Sequence, residues 1–414
     1  MTLIVRKYGG TSLGSIESIK KVARSAVHAA GQSQVIVVVS AMAGETDRLI
    51  ALSGRLAATP PARELDVLLA TGEQASASLL SMAIADLGHR AKSFLGGQIR
   101  ITTDSNFSGA RILDIETEEL TKALSDGFIA VVAGFQGVDR SGNVTTLGRG
   151  GSDTTAAALA AATSADLCEI YTDVEGIFSA DPKICPDARK LKEISYDEML
   201  EMASLGAKVL HPRAVFYASK YHVRLSVRSS FNDRPGTLII PPGENMEDVV
   251  VRGITCEKDV IAIRFIGIPD LIGAPQKIFG PISEAGIDVD LIIQNSSTDG
   301  FTDLSFTIPK KDHDQALALC RKIGGGLGAV NVESVEDLAK ISVVGQGIRS
   351  SAGVASTMFA SLAEAGVGIK MVTTSEIKIS CIIEQALADE AVRALHSAFS
   401  LDQPPDQAET FPKE

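Results

Sequence analysis

Two glycine loops hold the residues of this chain best suited to chemistry. One is Gly148-Arg149-Gly150-Gly151-Ser152-Asp153, which opens onto an alanine-rich stretch at 156–162. Glycines let a backbone approach an anion closely, and a helix N-terminus offers free N–H groups and a favourable dipole. Arg149 adds a forked cation that suits carboxylate or phosphate. Asp153 asks for positive charge nearby: a ligand ammonium, a metal or a catalytic lysine. Ser152 or Asp153 is expected at the helix cap. The alternative is a loop capped by Ser152 and Asp153, with the glycines there only for turning.

The other loop is Lys7-Tyr8-Gly9-Gly10-Thr11-Ser12. It follows the strand-like Leu3-Ile4-Val5-Arg6, and Ile16, Ile19, Val22, Ala23 and Ala26 recur behind it at helical spacing. It lacks the Gly-Lys-Ser/Thr close of a P-loop and the Gly-x-Gly-x-x-Gly dinucleotide fingerprint. Lys7 stands at the strand end, where an ammonium reaches a phosphoryl group in transfer. Two such loops in one α/β domain point to phosphoryl transfer.

Loops of this kind need a covered parallel sheet to hold them. Residues 35–39 and 129–133 are continuous apolar runs, as strands buried on both faces are, and 167–171 is another. Helical patterns lie between, at 66–87 and at 196–204, the second stopping near Gly206. His211-Pro212 begins the next helix, with proline in its first turn. The pattern is a doubly wound α/β sandwich. Its ligands sit at the carboxyl ends of strands, where Lys7, Ser40 and Gly134 fall.

These motifs resemble aspartokinase. Lys7 to Ser12, Gly148 to Asp153, Tyr171-Thr172-Asp173-Val174-Glu175-Gly176-Ile177, Asp181-Pro182-Lys183 and Gly206-Ala207-Lys208-Val209-Leu210-His211-Pro212 stand in the family's order, and the likeness spans nearly the whole chain. It implies an amino-acid-kinase (carbamate-kinase-like) three-layer sandwich at 1–240 that phosphorylates the side-chain carboxylate of L-aspartate with ATP. A carboxylate is already ionised near neutral pH, so such a site needs alignment and neutralised charge rather than a base. The resemblance puts Lys7 on the transferred phosphoryl group, Lys208 on phosphates or the leaving group, and Asp153 beside the lysines. Gly9, Gly10 and Gly150 would donate backbone N–H groups.

Further roles follow from the same likeness. Arg149 suits a substrate carboxylate, and Glu73, in Thr71-Gly72-Glu73-Gln74, suits the α-ammonium or a lysine side chain. Thr46 and Asp47 belong to a loop that contacts aspartate, Phe135 walls the pocket, and Gly150, Gly151 and Ser152 complete the substrate side. Lys7, Tyr8, Gly9, Gly10, Ser40, Thr172, Asp173, Phe178, Asp181, Lys183 and Lys208 are the expected nucleotide contacts. Phe178 and Lys183 stand where relatives often carry tyrosine and arginine, and Tyr8 replaces a commoner phenylalanine. No dedicated metal cluster is visible, and Mg2+ would arrive with ATP.

Turn-rich Asp233-Arg234-Pro235-Gly236 and Pro241-Pro242-Gly243-Glu244-Asn245 mark a boundary. Beyond it an internal repeat shows at an offset of about 80 residues: Gly273 meets Gly353, Phe279 meets Phe359, and Ala285-Gly286-Ile287 meets Ala365-Gly366-Val367. Each unit reads as a ferredoxin-like βαββαβ pattern and resembles an ACT domain. The resemblance nests the first unit, 263–337, inside the second, 250–262 with 338–402. It also implies feedback by lysine, threonine or both. Gly273, Ala274, Asp288, Asp290, Gln294 and Asn295 are the effector candidates of the first unit. Val354, Ala355, Gly368, Ile369, Ser375 and Glu376 are those of the second. Dimerisation modules without ligand are the alternative reading. Ile272 and Ala352 replace prolines frequent in relatives, and Leu271 replaces a polar residue.

Composition narrows the class. A length of 414 residues allows two or three domains with ample cores, and a net charge of −12 argues against nucleic acid or an anionic membrane as the partner. Five scattered cysteines make neither a disulfide framework nor a zinc site, and with no apolar leader the expectation is cytoplasmic. A homodimer or an α2β2 assembly is expected, the latter with an ACT-only subunit started internally near Met246. The tail 403–414 reads as disordered. The competing readings are a kinase for glutamate, N-acetylglutamate or UMP, and a non-catalytic regulatory subunit.

Overall fold

A computed structural model describes residues 2–205, 209–241, 250–270, 272–296, 300–348, 351 and 353–403. Lys208, Leu271, Ala352, the segment around Met246 and the tail from 404 lie outside them. The chain forms two units, Met1–Phe178 with Lys190–Met246, and Ser179–Arg189 with Glu247–Glu414. Residues 179–189 thus depart from the boundary expected at 240. The reason is a buried anchor: the Ser179 hydroxyl meets His396 Nε2 at 3.0 Å, while Ala180 and Cys185 enter the apolar core of the second unit.

In chain order the first unit begins with β1 (Leu3–Tyr8), α1 (Ile16–Ala30), β2 (Gln34–Val39), α2 (Glu45–Leu56), α3 (Ala62–Asp86) and β3 (Ala91–Phe94). There follow β4 (Ile101–Thr103), β5 (Ile112–Ile115), α4 (Glu118–Ser125), β6 (Ile129–Ala133), β7 (Gln136–Asp139) and β8 (Val144–Thr146). The unit closes with α5 (Gly151–Ala162), β9 (Leu167–Thr172), β10 (Glu193–Ser195), α6 (Tyr196–Ser204), α7 (Pro212–Lys220), β11 (Leu225–Ser229) and β12 (Thr237–Ile240). The main sheet has the order β10-β12-β11-β9-β1-β2-β6-β3. It is parallel from β11 to β3, while β12 runs antiparallel to β11, so the expected parallel sheet ends in a mixed edge.

The apolar runs are continuous because both faces are covered. Val35, Val37 and Val39 pack with α1 and α3 on one face, whereas α5 lies on the other, against β1, β2 and β9. The result is a three-layer α/β/α sandwich, with a small sheet β5-β4-β7-β8 beside it. Helix α3 is long and apolar enough by composition to cross a membrane, yet its Leu69, Ala70, Ala77, Leu80 and Ile84 are core residues and it also buries Asp66 and Glu73.

Side chains alternate along β1, and the alternation sorts roles. Lys7 faces α5. Tyr8 faces the α1–α3 layer, stacks on Tyr171 with centroids 4.6 Å apart and donates its hydroxyl to Ser25 Oγ at 3.0 Å. Next to this pair, buried Glu169 ties three strands together. It takes Arg6 Nε at 2.7 Å and Arg228 Nη1 at 2.8 Å, linking β1, β9 and β11.

The second unit contains β13 (Gly253–Pro269), α8 (Ala274–Glu284), β14 (Ile292–Ser296), β15 (Phe301–Pro309), α9 (His313–Leu327) and β16 (Asn331–Val344). After these come α10 (Gly353–Glu364), β17 (Met371–Thr374), β18 (Lys378–Glu384) and α11 (Ala388–Ala398). One sheet, β14-β15-β13-β16-β18-β17, runs through both repeats. The early part of β13, from Gly253 to Glu257, pairs with Val344 back to Lys340, while its later part pairs with β15 and the start of β16. One apolar core lies under α8 and α9 and another under α10 and α11. Residues 281–290 and 361–370 have the same helix end, turn and sequence of buried and exposed positions, so the 80-residue repeat is structural.

Removing the charge of Glu169 leaves two arginines facing an amide between three strands. Glu169→Gln is expected to cost about 3 kcal/mol. In a unit of this size that lowers the melting temperature by roughly 6–12 °C. Calorimetric melting of the full chain checks it, and an unchanged first-unit transition would mean the arginines are satisfied without the carboxylate.

Candidate active site

The two glycine loops meet at the carboxyl edge of the main sheet. Lys7 Nζ lies 2.6 Å from Asp153 Oδ1, with both side chains largely buried. An open cavity of about 410 Å3 lies over this pair. Its wall includes Lys7, Gly10, Ser40, Thr46, Asp47 and Glu73 from the N-terminal half, and Phe135, Arg149, Gly150, Gly151, Ser152 and Asp153 from the other. Residues separated by some 140 positions in sequence converge there because β1, β2 and β6 are neighbours and run parallel.

Gly150, rather than Ser152 or Asp153, caps α5. It sits at φ 68°, in the left-handed region, and the ring of His211 packs so closely that a Cβ at Gly150 would fall within 2.5 Å of it. With glycine turning the chain, Ser152 and Asp153 fall in the first turn of the helix and line the cavity. First-turn N–H groups have no partner within a helix, so this end suits an anion. Phe135 is also left-handed, at φ 68°, and its N–H donates to Thr155 Oγ1 at 3.1 Å.

Four charged groups define the electrostatics. Lys7 and Asp153 neutralise each other. Arg149 is exposed at the cavity wall, with no ion-pair partner among the described residues. Glu73 is only 4% exposed; its Oε1 accepts the Ala41 N–H at 3.0 Å, and its Oε2 has no partner. Burial pushes the Glu73 carboxyl up to about 7, against the opposing pull of the Ala41 amide. An ammonium placed on Oε2 would return it to the charged form. His211 is held below its usual value by burial, although Asp153 opposes the shift, and its Nδ1 accepts the Arg213 N–H at 3.3 Å. Among the described residues no group of three or more His, Cys, Asp or Glu could hold a metal ion.

Some expected contacts sit elsewhere. The Tyr8 ring is in the core on the opposite face of β1, because it neighbours Lys7 on a strand. The Gly9 N–H is not free for a ligand, since it donates to the Tyr171 carbonyl at 3.3 Å. Thr172 ends β9 and Asp173 follows it, the Thr172 hydroxyl donating to Asp173 at 3.1 Å. Phe178 is half-buried in a bridge to Lys190. Asp181 and Lys183 are exposed in the 179–189 segment of the second unit, where the Lys183 N–H caps Asp181 at 2.9 Å.

The effector candidates also divide. Gly273 caps α8 and Ala274 is buried behind it; Asp288, Gln294 and Asn295 are exposed. Asp290 instead pairs with the buried Lys340, which also holds Glu257 at 2.8 Å. In the other repeat Val354 is wholly buried in the core, so its side chain is not available to a ligand. Ala355 and Ile369 are half-buried, Gly368 is exposed, and Ser375 and Glu376 lie in the turn after β17.

Residues 2–229 match the amino acid kinase family and residues 341–399 match an ACT domain. Aspartokinase of Pseudomonas aeruginosa is 50% identical over 413 residues, covering 99% of this chain and 100% of that one. The solved structure of E. coli aspartokinase III in complex with aspartate and ADP (R-state) is 26% identical with a TM-score of 0.82, covering 96% of this chain and 100% of that one. The complex of the same E. coli enzyme with lysine and aspartate (T-state) has a TM-score of 0.77 at 26% identity, with coverage of 95% and 99%.

Selective 13C labelling of glutamate should show one carboxyl titrating near pH 7 that is missing in Glu73→Gln. A Glu73 midpoint below 5 would mean that water, not protein, surrounds its free oxygen.

Proposed function

The chain belongs to the aspartokinase family, and we propose on that premise how its cleft divides the work of phosphorylating aspartate. The reaction transfers the γ-phosphoryl group of ATP to the side-chain carboxylate of L-aspartate. A carboxylate oxygen forms the new bond to phosphorus, and the bond to the β,γ-bridging oxygen breaks, leaving ADP. Two anions must be brought together, so the barrier is lowered by alignment and by preorganised positive charge.

Lys7 takes the transferred phosphoryl group. Asp153 holds the Lys7 ammonium in place and stops it from folding onto other carboxylates of the cleft. Lys208 is assigned to the phosphates from its motif. The open first turn of α5 and the Gly10 loop add N–H donors. Arg149 takes a carboxylate of aspartate in a two-pronged pair. Glu73 takes the α-ammonium on its free oxygen, with Thr46, Asp47 and Phe135 enclosing the substrate. Thr172, Asp173, Phe178, Asp181 and Lys183 remain the proposed nucleotide contacts. Mg2+ enters with ATP, bound by phosphate oxygens and water.

The observation that carries this reading is the convergence of Lys7, Asp153, Glu73 and Arg149 on one cavity. A cation on the phosphate side and a separate acid and base for the two ends of an amino acid match ATP plus aspartate. They do not match N-acetylglutamate or UMP, which have no ammonium for Glu73.

Regulation is assigned to the two ferredoxin-like repeats, 263–337 and 250–262 with 338–402. Lysine and threonine are the proposed effectors, at Gln294 and Asn295 with Asp288 in one repeat and at Gly368, Ser375 and Glu376 in the other. A homodimer or α2β2 assembly built on these repeats is the proposed state, in the cytoplasm.

With Mg-ATP and hydroxylamine, aspartate is expected to give hydroxamate while glutamate and N-acetylglutamate do not. Lys7→Met should cut kcat by about 10²–10³-fold or more. Preference for another acid would overturn the substrate assignment. For the effector site, calorimetric titration of lysine and threonine into Gln294→Ala should show weakened binding of at least one; equal affinity for both would remove Gln294 from the site.

A further inference from the structure

Among the described residues Arg149 has no ion-pair partner, yet the backbone N–H and C=O groups of Thr146 and Leu147 just before it are all tied. Three residues before it, the Thr146 N–H and hydroxyl donate to the two oxygens of Asp66, at 2.7 and 2.8 Å. The Thr146 carbonyl accepts the Ala110 N–H at 2.9 Å. Two residues before it, the Leu147 N–H donates to the Phe135 carbonyl at 2.8 Å, and the Leu147 carbonyl accepts Arg213 Nη1 at 2.5 Å.

Asp66 and Arg213 do more than hold this one segment. Arg213 Nη2 donates to the Ala110 carbonyl at 2.9 Å, so one guanidinium bridges Leu147 and Ala110. Asp66 also accepts the Ser108 N–H at 2.9 Å and the Ser108 hydroxyl at 3.1 Å, so one carboxylate bridges Thr146 and Ser108. The 108–110 segment is thereby clamped behind the glycine loop from both ends. The Ser108 carbonyl backs onto Gly148, which turns at φ 74° and could not carry a Cβ without meeting that oxygen at 2.9 Å. A third tie from α7, the Tyr217 hydroxyl to the Ile112 carbonyl at 3.1 Å, fixes the same segment.

We propose that Asp66 and Arg213 are positioning residues for substrate recognition, acting through Arg149. They set the path of residues 146–148, so that Arg149 stands free at the cavity wall instead of turning away with a loosened loop. A guanidinium is required at 213 because its fork reaches two carbonyls at once, which a lysine ammonium cannot do with the same geometry. The inference rests on the assignment of Arg149 to a carboxylate of aspartate.

A double-mutant cycle on the full chain tests it, with KM for aspartate, KM for ATP and kcat measured for wild type, Arg149→Ala, Arg213→Met and the double variant. Arg149→Ala should raise KM for aspartate by about 100-fold, and Arg213→Met by about tenfold with KM for ATP changed less than about twofold. In the Arg149→Ala background, Arg213→Met should add nothing, because the group it positions is gone. Should Arg213→Met fail to fold, Arg213→Lys and Asp66→Asn serve in the same cycle, each with an expected rise of about threefold that also vanishes without Arg149. An effect that multiplies in full on the Arg149→Ala background, or that moves both KM values equally, would overturn the positioning role alone. An unchanged KM for aspartate in Arg149→Ala itself would overturn the substrate assignment, and the positioning role with it.

Discussion

The contact on which the catalytic unit turns is the ion pair between Lys7 and Asp153. One partner lies near the carboxyl end of the central strand and the other in the first turn of a helix packed on it, so the 2.6 Å contact holds the start of that helix against the strand end. The alanine run after Asp153 is what permits this. Ala156, Ala157, Ala158 and Ala160 are buried with no side chain beyond Cβ to keep α5 away from β1. Alanine also favours the helix intrinsically, so the short side chains cost nothing in local propensity. A larger residue there would lift the helix off the sheet and separate the charges. Lys7 is thus placed by the packing of a helix as well as by its ion pair.

Helix α3 shows how one element serves structure and chemistry with the same side chain type. Asp66 and Glu73 are seven residues apart, two helical turns, and so share a face. Both are buried. Asp66 has every oxygen taken by N–H and hydroxyl donors of the 108 and 146 segments. Glu73 lines the cavity with one oxygen on the Ala41 amide and the other buried without a partner, its carboxyl raised to about 7. A buried carboxylate that is fully satisfied is scaffolding; one left half-satisfied at a cavity wall is waiting for a cation. Because a rigid helix joins them, the group proposed for the ammonium and the loop proposed for the carboxylate are held at a fixed separation. That is a ruler for the length of the substrate.

How much of this the sequence disclosed depends on whether a residue acts through its type or through its surroundings. The glycine loops, the parallel runs at 35–39 and 129–133 and the 80-residue repeat were legible, since each is a local pattern with a physical cause. The convergence of Lys7, Glu73, Arg149 and Asp153 was legible only with the order of motifs as a guide. Tyr8 was misplaced because loop residues were read as a group, whereas β1 continues through Lys7 and Tyr8 and sends them to opposite faces. The α5 cap was misplaced because serine and aspartate are the usual caps, and only the coordinates show Gly150 taking the left-handed turn. The roles of Asp66 and Arg213 were not legible: most of their bonds go to backbone atoms, which carry no mark in a sequence. Arg213 does follow His211-Pro212 directly, so attention to the whole motif, and not only its lysine, would have raised it as a candidate.

The regulatory repeats share a fold but not a chemistry. Asp290 has Lys370 as its counterpart 80 residues on, at the same place after the same helix and turn. Asp290 meets the buried Lys340, whose burial works against its charge but whose two carboxylate partners, Glu257 and Asp290, outweigh that and hold its pKa above the usual value. Lys370 meets Glu384 at 3.0 Å on the surface, where an ion pair contributes little. A position that is acidic and paired with a buried lysine in one repeat is basic and paired with an exposed glutamate in the other. The two repeats therefore present opposite charge at an equivalent corner, so the shared fold does not carry a shared electrostatic surface.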